Sequence, residues 1–287
     1  MPARPTLPRL HDRSTLGSSG LQVSPVCLAR VAQPETIPAA FDCGINFFYL
    51  SADMHWPLYE GTRRGLAMLL SRGAGIRDQI VVVTACHAMQ LELCHAPFQE
   101  VVQFTPGLQR IDVLLAGAAY GFELERRLAL FQRHRSAGFV GARAVAAGFA
   151  ELPVAAQYVA AGGGDLWMVR YDPQYPFAEE ALFPRGAQRT SPLFVLPHPA
   201  SLPSPQQCDA LGLDPALWRP DWTDCYRYAL TPNSVDGVLL NVGSAADIHA
   251  LDRALARGPL SDDECAYLRS LSLLHEGLAE VVADSDT

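Results

Sequence analysis

The chain is 287 residues long, 49% hydrophobic, and carries a formal charge of −8 at neutral pH. That length can bury a large core, and the acidic balance argues against nucleic acid or an anionic membrane surface as partner, since both need a basic footprint. All 22 basic residues are arginine, which excludes a Schiff-base lysine, a P-loop lysine and any ammonium group that would tune a catalytic tyrosine.

Residues 1–13 are proline-rich without an apolar signal-peptide segment and read as a flexible tail. No stretch reaches the roughly 20 apolar residues of a membrane span, so a cytoplasmic location is expected. Seven cysteines, odd in number and without CxxC spacing, fit reduced thiols.

Leu16 to Val23 places two short apolar pieces around a Gly/Ser turn and predicts a hairpin closing one end of the fold. Eight apolar runs then recur at regular intervals: Pro25–Ala29, Ile45–Leu50, Ile80–Thr84, Ile111–Ala116, Phe139–Ala147, Leu166–Tyr171, Leu193–Pro197 and Gly237–Val242. The segments between them show helical spacing, as in Leu58, Leu66, Leu69 and Leu70. Arg126, Arg127, Arg133 and Arg135 alternate with Leu124, Leu128 and Phe131, which predicts a helix with a solvated basic face. Eight βα repeats without a GxGxxG loop predict an α/β fold, a closed (β/α)8 TIM barrel, in preference to an open sheet. Ser261 and Glu264 fit a capping box that opens an extra C-terminal helix over Ser261–Leu278.

Leu16-Gly-Ser-Ser-Gly-Leu-Gln-Val-Ser24, Gly44-Ile-Asn-Phe-Phe48, Arg110-Ile-Asp-Val-Leu-Leu115 and Arg170-Tyr-Asp172 with Ala178-Glu-Glu180 resemble successive blocks of the aldo-keto reductases. The resemblance covers nearly the whole chain, residues 1–287, as a single barrel domain. It implies a nicotinamide cofactor across the C-terminal mouth. It also implies a tetrad of aspartate, tyrosine, lysine and histidine that protonates a carbonyl while hydride arrives. Matched position by position, the aspartate is Tyr49, the tyrosine falls at Met54 or His55, the lysine is Ala85 and the histidine is Gly117. The tetrad works as a unit, so standard carbonyl reduction is not expected.

In such barrels the active-site groups stand at strand C-termini and in the loops beyond. Those positions hold Arg30, Tyr49, Asp53, His55, Cys86, His87, Tyr120, Arg170, Tyr171, Asp172, His198 and Asn241. Histidine titrates near neutrality, so Tyr49, Asp53, His55 and His87 are the candidates for proton transfer. Arg30, Tyr120, Arg170, Tyr171 and His198 are the candidates for substrate contact. No HxH or HExxH spacing supports a metal, and the Cys86-His87 and Cys94-His95 pairs read as inert. If a nicotinamide cofactor, NAD(H) or NADP(H), binds, the resemblance assigns it Tyr171 for stacking and Asn241, Gly243 and Ser244 for a phosphate. Asp247 would repel a 2′-phosphate.

The favoured reading is a small-molecule pocket that performs cofactor-free acid–base chemistry: elimination, dehydration, cyclisation or isomerisation. The alternatives are a nicotinamide-dependent oxidoreductase with an unusual proton donor, and a non-catalytic binding or regulatory subunit.

Overall fold

The computed structural model describes residues 3–51, 55–86, 95–116, 121–147, 152, 156–157, 164–184 and 190–285. Strands β1 (Ser14–Thr15) and β2 (Gln22–Val23) form the expected antiparallel hairpin. The eight apolar runs become β3 (Val26–Val31), β4 (Phe47–Ser51), β5 (Val81–Cys86), β6 (Val113–Ala116), β7 (Ala142–Ala147), β8 (Leu166–Arg170), β9 (Leu193–Leu196) and β10 (Gly237–Val242). These close in sequence order into a parallel barrel, with β10 pairing β3. The described helices are α1 (Thr36–Asp42), α2 (Glu60–Leu70), α3 (His95–Gln103), α4 (Gly121–Ser136), α5 (Ala178–Ala181), α6 (Pro205–Ala210), α7 (Trp222–Leu230), α8 (Ala245–Ala256) and α9 (Asp262–Ser285). Among the described residues no helix is long and apolar enough to cross a membrane.

Strand pleat alternates side chains between the barrel axis and the helices, and the pairing register carries one phase around the ring. Cys27 pairs Phe47, Phe47 pairs Val81, Val83 pairs Val113, and Val113 pairs Ala142. Ala144 then pairs Leu166, Met168 pairs Phe194, and Phe194 pairs Gly237. These residues face the axis. Phe47 and Phe194 meet edge to face there, with ring centroids 5.5 Å apart. That geometry adds about 0.5–1.5 kcal/mol beyond the area buried. Large rings on some strands need small residues on others. A Cβ on Gly237 would lie 2.4 Å from both the Phe194 ring and the Pro25 carbonyl, so only glycine fits.

At the N-terminal end of the barrel one device recurs on alternate strands. Asn46, Asp112, Asp165 and Asp236 each stand one residue before β4, β6, β8 and β10, and each accepts a backbone amide from the preceding strand's entry. The donors are Ser24 (2.7 Å), Val82 (2.8 Å), Arg143 (3.0 Å) and Leu193 (2.8 Å). Buried Arg77 completes the second lock, donating to Asp112 at 2.8 Å and to the carbonyls of Leu108, Ile80 and Arg110. The third also holds the hairpin: Asp165 accepts from the Ser18 amide and hydroxyl and from Arg135.

Two expectations change. Residues 3–13 are anchored: Leu7 and Leu10 are buried, and the Arg4 amide donates to the Thr231 carbonyl at 3.0 Å. Apolar side chains spaced three apart outweigh the proline content of that segment. The basic face of α4 is only partly solvated, because Arg127 is buried and Arg135 reaches Asp165. The C-terminal helix keeps its capping box, with Ser261 N donating to Glu264 Oε2 at 2.7 Å and Glu264 N to Ser261 Oγ at 3.2 Å.

Breaking a buried lock leaves uncompensated charge. Asp165→Ala is expected to cost about 3–5 kcal/mol in urea unfolding. Asp42→Ala, which removes an exposed pair with Arg72, should leave the midpoint nearly unmoved.

Candidate functional site

The phase set below determines what reaches the C-terminal mouth. On β4 it aims Tyr49 and Ser51 at the axis, both buried, and on β5 it pairs Ser51 with Ala85. On β8 it turns Arg170 inward, whereas on β10 the register against β3 shifts between Leu240 and Val242, and Asn241 stands at that irregularity. The Tyr49 ring lies 5.6 Å from that of Tyr59, which the 3-10 turn Trp56–Tyr59 folds back over the strand end. His55 is exposed immediately before that turn, and its carbonyl accepts from Leu58 N at 2.9 Å. The Arg63 guanidinium stacks 3.6 Å from the Trp56 ring centroid.

On the adjoining strand, Arg30 stands one residue before the end of β3. Its amide and its Nε both donate to Asn241 Oδ1, at 3.1 and 3.4 Å. His198 follows β9 and is exposed, with its carbonyl accepting from Ser201 N at 2.9 Å. Arg170 Nε donates to Asp172 Oδ2 at 3.2 Å, and its guanidinium lies 3.4 Å from the Tyr175 ring centroid. Asp172 is fully buried and also accepts the amides of Gln174 and Tyr175. Behind it, burial raises the Cys225 thiol far above its ordinary range, helped by the Asp172 charge, so this cysteine stays protonated.

Tyr171 does not line the mouth. Because Met168 and Arg170 face the axis, the next residue faces the helices, and Tyr171 is 1% exposed. Its ring stacks on Tyr228 of α7, with centroids 5.4 Å apart, and meets Phe183 at 4.9 Å. Its hydroxyl donates to Glu179 Oε1 at 2.7 Å. Arg269 of α9 completes the cluster, donating to the Tyr228 hydroxyl at 2.7 Å and to Glu179 at 2.5 Å. Burial, with Tyr228 and Glu179 beside it, pushes the Tyr171 phenol far above its usual range, so it is a fixed donor that ties the C-terminal helix to the barrel.

The expected phosphate cradle is already filled. Asp247 Oδ2 accepts from Gly243 N at 3.0 Å, from Ser244 N at 2.9 Å and from Ser244 Oγ at 3.3 Å. With those amides taken, Asn241 Oδ1 engaged by Arg30 and Tyr171 turned outward, the described residues do not fit a nicotinamide dinucleotide. The signal in the sequence was the Ser244-to-Asp247 capping spacing, which puts a carboxylate onto the first amides of α8. Beside it, Pro199, Trp222, Asn241, Val242, Gly243 and Asp247 enclose a cleft of about 270 Å³. Ser51 was not singled out in the sequence, because an inward serine carries no local signature, and Trp222, which opens α7, read there as packing and not as a pocket wall.

Asp53, His87, Cys94 and Tyr120 lie outside the described residues. Among the described residues no group of three or more His, Cys, Asp or Glu side chains is arranged to hold a metal ion.

No protein-family model matches the sequence, and no curated protein matches it significantly. Solved structures do resemble it. The aldo-keto reductase AKR11C1 from Bacillus halodurans, in its holo form, superposes with a TM-score of 0.69 at 17% identity, covering 91% of this chain and 96% of that one. The apo form of the same protein gives 0.65 at the same identity and coverage. At that identity the likeness is one of fold.

Asp247→Ser should free the Gly243 and Ser244 amides. In an NMR titration with inorganic phosphate their resonances are expected to shift saturably in the variant and not in the wild type. An equal response in both would show that the carboxylate does not hold the cradle.

Proposed function

We propose that this chain is an aldo-keto-reductase-like barrel that lacks the catalytic tetrad and uses its mouth for cofactor-free acid–base chemistry on a small molecule. The reaction class is elimination, dehydration, cyclisation or isomerisation. Proton transfer falls to Tyr49 on β4, to Asp53 and His55 beyond it, and to His87 beyond β5. Arg30, Tyr120, Arg170 and His198 contact the substrate.

The observation that carries this reading is the pair of axis-facing positions on β4 and β5. A phenol, Tyr49, stands where the resemblance puts the aspartate, and a methyl group, Ala85, where it puts the lysine. A chain without lysine has no ammonium with which to tune a proton-donating tyrosine in the manner of the tetrad. The filled cradle at Asp247 argues in the same direction. A buried phenol at the rim of a barrel, with imidazole and carboxylate groups in the adjoining loops, has the donors and acceptors that proton transfer needs near neutral pH.

An oxidoreductase reading is favoured only by the likeness to a reductase in its holo form. The two are separated by titrating the protein with NADPH and NADH and following tryptophan fluorescence. Absence of saturable quenching up to millimolar cofactor is expected, and micromolar binding would overturn the cofactor-free reading. Once a substrate is found, Tyr49→Phe and His55→Ala should each lower kcat by about 10²–10⁴-fold, the usual contribution of a positioned acid or base. Wild-type turnover in both would remove them from the mechanism.

A further inference from the structure

Among the described residues the mouth contains two held arginines, Arg170 and Arg30, and their surroundings differ in one respect. Arg170 has its counter-ion in the chain: Asp172 pairs with it, and Asp172's other oxygen is spent on the Gln174 and Tyr175 amides. Arg30 has none among the described residues. Its recorded partner is the neutral side-chain oxygen of Asn241, which accepts both its amide and its Nε. Asp247 Oδ2 is taken by the Gly243 and Ser244 amides.

An exposed arginine is ordinarily a loose, solvated side chain. Arg30 is not loose, because Asn241 Oδ1 engages the backbone and the guanidinium of the same residue and so fixes the fork relative to the strand end. Using Nε in that contact leaves the terminal Nη edge, with four N–H donors, unspent. Asn241 also lines the cleft of about 270 Å³ together with Pro199 and Trp222. A pre-positioned fork beside a small cleft has already lost part of the entropy that ligand binding would otherwise cost.

We infer that Arg30 is a specificity-determining anchor for a small carboxylate-bearing substrate, gripped at its Nη edge with the rest of the molecule in the Asn241–Trp222 cleft. The inference rests on the proposed small-molecule reading of the mouth. A carboxylate supplies the counter-ion that the described chain does not, and its two oxygens match the planar fork bidentately.

The full chain, labelled with ¹⁵N-arginine, is titrated with malonate and separately with inorganic phosphate, and the Arg30 Nε–H resonance is assigned by its loss in Arg30→Gln. A saturable malonate shift is expected at Arg30. Malonate affinity should fall about tenfold or more in Arg30→Gln, as for loss of charge-assisted hydrogen bonds. It should be partly retained in Arg30→Lys, which keeps the charge without the fork, and unchanged in Arg253→Gln on exposed α8 surface. A linear, unsaturable shift, or equal weakening in Arg253→Gln, would overturn the anchor. Saturation by phosphate and not by malonate would overturn the carboxylate assignment. Binding is read without turnover, so failure of the acid–base reading leaves this result standing, and failure of the anchor leaves the turnover tests standing.

Discussion

Four polar side chains, Asn46, Asp112, Asp165 and Asp236, each capture the amide of the neighbouring strand at the entry to alternate barrel strands, and the rest of the structure follows from the register they hold. A parallel strand that slips by one residue exchanges its inner and outer faces. The locks oppose that slip at four points of the ring. With the phase fixed, the axis-facing set is determined from Cys27 and Phe47 around to Gly237, and so is the set of side chains that emerge at the opposite end. The chemistry of the mouth is therefore decided at the floor of the barrel.

Paired buried charge and exposed polar groups are separated along the barrel axis. The N-terminal end holds buried charge that is paired and hydrogen-bonded, with Arg77 on Asp112 and Arg135 on Asp165. Outside the barrel, the Glu179, Tyr171, Tyr228 and Arg269 cluster ties α9 to β8 and α7. Tyr171 and Tyr228 are buried in it, Glu179 and Arg269 close it from the partly exposed side, and their mutual hydrogen bonds make it a brace. The C-terminal end is different. Arg30 and His198 are exposed there, and Tyr49 and Ser51 lie just beneath.

The fold alone does not decide among the functions that this architecture hosts. What narrows the choice is local chemistry: a methyl group at Ala85, a phenol at Tyr49, and a carboxylate already seated on the amides that would meet a phosphate. The proposed cofactor-free reading rests on these three features.

Much of the architecture was legible in the sequence by itself. Eight apolar runs at regular spacing, a Gly/Ser turn between Leu16 and Val23, and the Ser261–Glu264 capping pair are local signals. They produced the eight barrel strands, the hairpin and the C-terminal helix. The absence of lysine was likewise final as read. The direction of individual side chains was not legible. Strands of a parallel barrel are buried on both faces and read as continuous apolar runs, so nothing in Leu166–Tyr171 says which alternate residues face the axis. Tertiary pairing with β7 and β9 turned Arg170 inward and Tyr171 outward, against Tyr228 and Phe183. Pairing of β10 with β3 brought Asn241 to Arg30 across 211 positions of sequence. Sequence carries local periodicity, whereas the phase of a closed sheet exists only once the last strand has met the first.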